Sequence, residues 1–212
     1  YQYDKLSRIG QKQETVQGAA VFEDYVYDVA GRLTEVRQNG AITESYGYDS
    51  NGNRTSHSGT VATYDAQDRL VTHGTASYTC TAAGDLQTKT EAGAVTSYTY
   101  DALGNLLHVA LPGDLVIEYL IDGRIRRIGK KVNGALVQGF LYQDQLEPIA
   151  ELNADGQVVT RFVYGTKANV PDYLIKIDAA TGVETTYRVI ADHLGSPRLI
   201  VNSATGEVVQ RM

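Results

Sequence analysis

A nine-residue motif recurs along the chain and constrains its fold more than any other feature. In its fullest form it reads Tyr-x-Tyr-Asp-x-x-Gly-Asn-Leu, as at residues 98–106. Two tyrosines spaced two positions apart lie on the same face of an extended strand. The aspartate that follows can accept hydrogen bonds from backbone amides two residues on, and the glycine suits the last position of a tight turn. Each copy therefore predicts a β-hairpin, and tandem copies predict a repeat architecture.

Copies of the motif fill much of the first half of the chain. Some have lost a tyrosine or the glycine, and in the copy near residue 80 Cys80 and Thr81 replace the Tyr-Asp pair. We expect Asp28→Ala and Asp101→Ala to destabilise the chain by removing turn-capping hydrogen bonds, and Thr81→Asp to be neutral or stabilising. The motif residues with a predicted structural role are Tyr1, Tyr3, Asp4, Tyr25, Tyr27, Asp28, Gly31, Tyr46, Tyr48, Asp49, Gly52, Tyr64, Asp65, Tyr98, Tyr100, Asp101 and Gly104.

A second string of residues lies near the end of the chain. It consists of Asp192, His193, Leu194, Gly195, Ser196, Pro197 and Arg198. With the tandem motifs and the segment 143–152, this string resembles the YD-repeat or Rhs family, which includes bacterial polymorphic toxins, the C component of Tc toxins and animal teneurins. In that family the string begins the core region.

The residues themselves predict a long antiparallel β-ribbon with stripes of tyrosine and no active site. The resemblance implies an all-β fold in which a continuous antiparallel ribbon of YD-repeat hairpins is curved into part of a β-shell. Residues 1–111 would form the hairpin array, residues 112–190 would continue the ribbon, and residues 191–212 would begin the core, all in one structural unit.

The resemblance also implies a function. The shell would enclose a C-terminal toxin of the parent polypeptide for delivery, with neighbouring shell segments as further partners, and would be exported from a bacterium. The family's self-cleaving aspartates lie in a motif downstream of the core string. No catalytic residue is therefore assigned to this chain, and no self-cleavage is expected. Both ends look cut from something longer, so open sheet edges are expected to promote self-association.

The composition fits a sheet with one partly dehydrated face. There are 15 Tyr but 3 Phe and no Trp, and tyrosine carries a hydroxyl that requires a partner or water. A net charge of −6 argues against general nucleic-acid binding. The single cysteine, Cys80, excludes an intramolecular disulfide, and no apolar run reaches membrane-spanning length.

Several candidate sites compete with a purely structural interpretation. The loop that begins at Asp49 resembles a calcium loop, but its glycine is at the fourth position and Thr60 is at the twelfth. The four histidines lack metal-ligand spacing, and His193 cannot pair with the adjacent Asp192 if both lie on one strand. No cofactor or metal site is predicted.

One cluster of basic residues stands out. Its members are Arg124, Arg126, Arg127, Lys130 and Lys131. We interpret it as a solvated strand face or as charges that protect a sheet edge, with contact to an acidic partner as the alternative.

Further turns are predicted outside the motif copies. Asn-Gly or Pro-Gly pairs mark turns at residues 39–40, 112–113 and 133–134, and Asp122-Gly123 is expected to form a tight turn in a shortened repeat. Three turns of one type are expected at 153–156, 178–182 and 202–206.

Two other functions remain open. The Tyr-Asp pairs could form platforms for a cell-surface adhesion or glycan-binding module. A cryptic hydrolase is the more remote alternative, and His193 is its only support.

Overall fold

The computed structural model describes residues 1–16 and 18–212, and these residues form β-strands and turns without a helix. The prediction of an all-β, antiparallel fold is confirmed. The strands are β1 (Gln2–Tyr3), β2 (Ile9–Val16), β3 (Ala19–Tyr27), β4 (Leu33–Gln38), β5 (Ala41–Tyr48), β6 (Arg54–His57), β7 (Thr60–Tyr64), β8 (Leu70–His73), β9 (Ala76–Cys80), β10 (Leu86–Glu91), β11 (Ala94–Tyr100), β12 (Leu106–Leu111), β13 (Leu115–Ile121), β14 (Arg127–Val132), β15 (Ala135–Tyr142), β16 (Pro148–Leu152), β17 (Val158–Val163), β18 (Tyr173–Ile177), β19 (Glu184–Ala191), β20 (Pro197–Asn202) and β21 (Val208–Arg211).

The chain divides into two compact units, Tyr1–Val95 and Thr96–Met212, with the boundary inside β11. In the first unit β1 to β10 pair in sequence order, each strand antiparallel to the next. In the second unit β11 to β21 do the same. Among the described residues of each unit, strands contact only their sequence neighbours, so each unit is a single layer. The division at residues 111 and 190 stays a prediction.

Connections of two kinds alternate along this meander. Turns that begin at motif positions follow β1, β3, β5, β7 and β9, and in the second unit they follow β11, β13 and β19. Alternate connections of an antiparallel meander lie at the same end of the strands, so within each unit these turns form a row. At the other end, short turns have left-handed backbone, as at Asn39 (φ 49°) and Gly40 (φ 86°). The turn predictions at 39–40, 112–113 and 133–134 are confirmed.

Two of the other turn predictions are wrong. The turn at Asn153 closes on Gln157, whereas those at Asp178 and Asn202 contain one residue more and close on Val183 and Glu207. Their glycines stand one position later, which allows the longer loop. The three turns are therefore not of one type.

Asp122-Gly123 is not a tight two-residue turn. The N–H of Asp122 donates to the carbonyl of Arg126 at 3.0 Å, and Ile125, at φ 63°, is the left-handed residue. The segment is therefore a full-length repeat turn. The sequence predicted a shortened repeat because Ile125 occupies the position at which most other copies have glycine.

Neither unit has a dry core. Among the described residues the buried apolar side chains are Ala62, Ala76, Val109 and Ala150, and none of the larger side chains falls below 2% exposure. Along β19 exposed and half-buried residues alternate, as expected when one face of a strand is better covered than the other. The expectation of a partly dehydrated face is consistent with this burial pattern.

Candidate functional site

The motif aspartate closes its turn with both its backbone and its side chain. In the turn at Asp122, the N–H of Ile125 donates to the Asp122 carbonyl at 3.0 Å. One carboxylate oxygen, Oδ1, accepts the N–H groups of Arg124 at 2.8 Å and Arg126 at 3.0 Å. The same backbone pattern occurs in the turns that begin at Asp4, Asp28, Asp49, Asp65, Thr81, Asp101, Asp122, Asn153 and Asp192.

The residue four positions after the aspartate binds its other carboxylate oxygen. Nε of Arg126 donates to Oδ2 of Asp122 at 2.8 Å, and Nδ2 of Asn105 donates to Oδ2 of Asp101 at 2.8 Å. These side-chain bonds, with the backbone N–H groups, hold the pKa of Asp122 at about 2 and the pKa of Asp101 below its ordinary value. Sequence reasoning missed this partner, although arginine or asparagine recurs at the position. The arginines with this contact are Arg8, Arg32, Arg69 and Arg126.

The second tyrosine of the motif joins its hairpin to the preceding one. Its hydroxyl donates to the main-chain carbonyl of the residue five positions after the start of the preceding turn. The pairs are Tyr27 with Ile9 at 2.9 Å, Tyr48 with Leu33 at 2.7 Å, Tyr64 with Arg54 at 2.9 Å, Tyr142 with Arg127 at 3.0 Å and Tyr164 with Pro148 at 3.0 Å. Because the same bond spans one repeat each time, it links neighbouring hairpins in register.

The turn arginine completes this link. The guanidinium carbon of Arg8 lies 4.3 Å from the ring centre of Tyr27, and that of Arg32 lies 4.9 Å from the ring centre of Tyr48. A guanidinium at this distance from an aromatic face is attracted to it. We call the set of turn aspartate, turn arginine and following tyrosine the repeat clasp. It is complete at Asp4-Arg8-Tyr27, Asp28-Arg32-Tyr48 and Asp122-Arg126-Tyr142.

Tyr142 and Tyr164 were missed by sequence reasoning. Gln143 and Gly165 stand where the motif has aspartate, so neither tyrosine carried the Tyr-Asp signature. Burial, and to a smaller extent the nearby Glu147, raises the pKa of Tyr164 to about 12. Its hydroxyl is therefore kept neutral and available as a donor over the ordinary pH range.

The first tyrosine of the motif has other partners. The hydroxyl of Tyr25 donates to Glu23 at 2.9 Å, and that of Tyr46 donates to Glu44. Tyr98 lies opposite Val109 on the half-buried face, while Tyr1 and Tyr3 are exposed. The motif glycines Gly31, Gly52 and Gly104 all have left-handed backbone, as the turn interpretation requires.

The polar atoms of the Tyr-Asp pairs are largely used inside the protein. Both carboxylate oxygens of Asp28 accept hydrogen bonds from Arg32, and the hydroxyl of Tyr27 donates to a main-chain carbonyl. Such groups offer little to an incoming sugar hydroxyl. The contacts therefore favour the structural interpretation over the glycan platform.

The core string folds as one more repeat turn. Oδ1 of Asp192 accepts the N–H groups of Leu194 at 3.0 Å and Ser196 at 2.9 Å, and these bonds lower the pKa of Asp192. Gly195 has φ 87°, and Pro197 starts β20 opposite Ala191. His193 is exposed in the turn, not on a strand as the sequence argument assumed. The Asp192 carboxylate therefore acts as the hydrogen-bond acceptor that closes this turn.

The remaining candidate sites have structural explanations. The carboxylate of Asp49 accepts from the backbone of Asn51 and from Asn53, as in the other turns. Within residues 1–16 and 18–212, no three His, Cys, Asp or Glu side chains are placed to hold a metal ion. Cys80 is half-buried at the end of β9, opposite Leu86. None of the described segments is an apolar helix of membrane-crossing length.

The basic cluster does not protect a sheet edge, so that part of the interpretation is wrong. β14, which carries most of it, pairs with β13 on one side and β15 on the other. Arg126 belongs to a repeat clasp, and Arg127 stacks 4.0 Å from the ring centre of Tyr119. Of the five residues of the cluster, Arg124 projects from a turn as an exposed cation, and the described residues give it no ion pair.

Several solved structures are similar to this chain. The chain is similar to the crystal structure of TcdB2-TccC3-TEV (12% identity, TM-score 0.42, 95% of this chain and 15% of that chain). It is also similar to TcdB2-TccC3-Cdc42 (15% identity, TM-score 0.43, 87% and 10%). A third similar structure is the Tc holotoxin pore of Photorhabdus luminescens (13% identity, TM-score 0.41, 90% and 14%). The chain thus spans 15% or less of the length of these chains.

A comparison with curated proteins gives no match. The family model described as Teneurin YD-shell, in contrast, matches residues 1–212. The repeated hairpins, the motif turns and the repeat clasps are what a YD-repeat module needs. The chain therefore belongs to the teneurin YD-shell family and is a YD-repeat module of the shell-forming kind.

Proposed function

We propose that this chain is a segment of a shell that encloses a toxin located C-terminal to it in the parent polypeptide. The shell segment acts structurally, without catalysis of its own, and is exported from a bacterium as part of that polypeptide. Its immediate partners are the neighbouring shell segments and the enclosed toxin.

The recurring tyrosine bond is the observation that carries the proposal. A single-layer sheet lacks a second layer to hold its hairpins in register. Five tyrosine hydroxyls supply that restraint by bonding the carbonyl of the preceding hairpin. A wall one sheet thick can be extended in this way, repeat by repeat, around a volume.

The burial pattern also supports the proposal. The better covered face of each unit is mostly half-buried, and it carries apolar groups such as Leu70 and aromatic rings such as Tyr98. A polypeptide held against that face would cover those groups while the tyrosine rings keep it partly polar.

The test uses the parent polypeptide, in which the downstream region is present. Limited proteolysis followed by mass spectrometry should leave that region intact for as long as the shell persists. The downstream region expressed alone should be cleaved much faster. Equal cleavage rates for the two would contradict enclosure.

A matched variant sharpens this experiment. Tyr48→Phe combined with Tyr142→Phe removes two clasp hydroxyls and should increase cleavage of the downstream region. Tyr98→Phe is the control, because the Tyr98 hydroxyl has no partner among the described residues. Binding to an array of glycans by the intact chain would instead favour the adhesion module.

The absence of catalysis is tested separately. The intact mass of this chain should stay equal to its sequence mass after prolonged incubation. A discrete internal cut that persists after repurification and is abolished by His193→Ala would favour the hydrolase alternative.

A further inference from the structure

Four consecutive residues of the chain, three of them from the basic cluster, form a motif that repeat turns do not require. They read Arg-x-Arg-Arg at residues 124–127, and the sequence contains this pattern once. An endoprotease with acidic subsites can recognise arginines at this spacing, because a guanidinium fits a carboxylate in a fixed geometry. A cut after the last arginine would fall between Arg127 and Ile128.

Two of the three arginines are not needed to form the turn. The position of Arg124 is occupied by Asn51 and by Leu103 in two other turns that close in the same way. In the second of these turns Leu106 occupies the position of Arg127. The hairpin therefore forms without arginine at either place, and turn geometry does not explain the motif.

The folded turn withholds the motif from a protease. Nε and Nη2 of Arg126 bind Oδ2 of Asp122 at 2.8 Å and 2.7 Å, and Nη1 donates to the carbonyl of Asp144 at 2.8 Å. The Arg126 side chain is 17% exposed. Ile125, at φ 63°, bends the chain away from the extended conformation in which peptides bind along a strand edge.

The peptide bond after the motif is also held in place. The hydroxyl of Tyr142 donates to the carbonyl of Arg127 at 3.0 Å, and Arg127 pairs with Ile121 of β13. The Arg127 guanidinium lies 4.0 Å from the ring centre of Tyr119. Attack on this carbonyl requires the start of β14 to leave the sheet. The clasp that joins the two hairpins therefore also controls access to the bond.

We propose that residues 124–127 are a latent cleavage site for an endoprotease that selects the Arg-x-Arg-Arg pattern. The site is closed while its repeat clasp is intact and opens when that clasp is lost. In the cut, the oxygen of a water molecule bonds to the carbonyl carbon of Arg127 and the bond to the nitrogen of Ile128 breaks. Both protons of the water pass to that nitrogen. The proposal does not depend on an enclosed toxin.

Digestion with a subtilisin-type endoprotease specific for Arg-x-Arg-Arg, followed by intact mass measurement, tests the proposal. The wild type should be cut slowly into residues 1–127 and 128–212, whereas a synthetic peptide of residues 120–131 should be cut fast. Asp122→Ala should raise the rate for the chain at least about tenfold, because it removes charge-assisted bonds and proteolysis follows the population of the open turn. Tyr142→Phe should raise it about fivefold, because it removes one hydrogen bond.

Matched controls separate this site from general unfolding. Asp28→Ala and Tyr48→Phe weaken a clasp of the first unit and should leave the rate of the cut after Arg127 unchanged. Arg124→Gln removes one arginine of the motif from an exposed side chain, so it should prevent the cut in the Asp122→Ala background without lowering the thermal midpoint further.

Four results would overturn the proposal. They are a wild-type chain cut as fast as the peptide, an Asp122→Ala variant cut no faster than the wild type, an equal rise in Asp28→Ala, and a cut that Arg124→Gln leaves unchanged.

Discussion

The junctions at Tyr48 and Cys80 occupy equivalent places in two of the repeats, but only the junction at Tyr48 is clasped. At Tyr48 the hydroxyl reaches the carbonyl of Leu33, and Arg32 lies over the ring. Cys80 has neither an aromatic ring nor a hydroxyl, although Arg69 of the preceding turn is held by Asp65 just as Arg32 is held by Asp28. A similar loss occurs at Ile121, which follows the turn of Asp101.

The comparison separates two functions of the motif. The turn at Asp65 keeps its full backbone pattern even though no tyrosine follows it at position 80. The aspartate therefore determines the hairpin, and the tyrosine determines the bond between hairpins. A repeat can therefore lose the tyrosine bond to its neighbour and still keep its hairpin turn.

Removal of a turn aspartate should lower the stability most, because it weakens both the hairpin turn and the contact between neighbouring hairpins. Asp28→Ala removes the acceptor of the Arg32 N–H at 2.9 Å and of Arg32 Nε at 2.8 Å, and it releases the arginine that stacks on Tyr48. We expect the thermal midpoint to fall by several degrees. Asp155→Ala, at an exposed turn residue whose carboxylate has no described bond, is the control. An equal fall in the two variants would contradict the clasp.

The same substitution should change the response to acid. Hydrogen bonds from the backbone and side chain of Arg32 lower the pKa of Asp28 below its ordinary value of 3.8. A lowered pKa in the folded state gives stability that is present above the ordinary value and is lost as the pH falls below it. The midpoint difference between the wild type and Asp28→Ala should therefore shrink as the pH is lowered from about 4.

Loss of one clasp hydroxyl should have the next largest effect. Tyr48→Phe keeps the ring beneath Arg32 but leaves the Leu33 carbonyl without its donor. We expect a loss of about 1 kcal/mol in the free energy of unfolding, the usual net contribution of a partly buried hydrogen bond. Urea denaturation measures it, with Tyr98→Phe as the control. If both variants match the wild type, the tyrosine bond does not stabilise the fold.

A clasp can also be added where one is missing. Cys80→Tyr restores the ring and hydroxyl beside Arg69 and should raise the free energy of unfolding by up to about 1 kcal/mol. Cys80→Phe adds the ring without the hydroxyl, so it should raise the free energy of unfolding by less. The difference between the two variants isolates the hydroxyl. A Cys80→Tyr variant less stable than the wild type would show that this junction cannot accept the clasp.

The smallest effect concerns the turn at Thr81, where the structure revises the sequence-based expectation. The Thr81 hydroxyl accepts from the N–H of Asp85 at 3.1 Å and lies beside the Asp85 carboxylate, which occupies the arginine position of the motif. Thr81→Asp alone should cost about 0.5 kcal/mol, because it places two carboxylates together. Adding Asp85→Arg should reverse the loss. A stabilising single substitution would support the original expectation.

Sequence reasoning was sufficient for the hairpins but not for the contacts between them. Aspartate and glycine at fixed spacing identify a turn, because the turn needs a short acceptor and a left-handed residue. The acceptor of the tyrosine hydroxyl is a main-chain carbonyl, as at Leu33, and any residue type supplies one. Ile125 also concealed a turn, since the surrounding structure imposes a left-handed backbone that a β-branched residue disfavours.

Contact restricted to sequence neighbours has a consequence for how each unit unfolds. The free energy of unfolding of each unit is approximately the sum of one contribution from each hairpin and one from each contact between neighbouring hairpins, as in a one-dimensional lattice. Opening can then begin at a weak coupling and spread in both directions, instead of requiring the whole unit to melt at once. The Cys80 junction is such a weak coupling, and amide hydrogen exchange should be fastest in the strands on either side of it. A wall built on this principle tolerates an imperfect repeat, because the defect changes only its two neighbours.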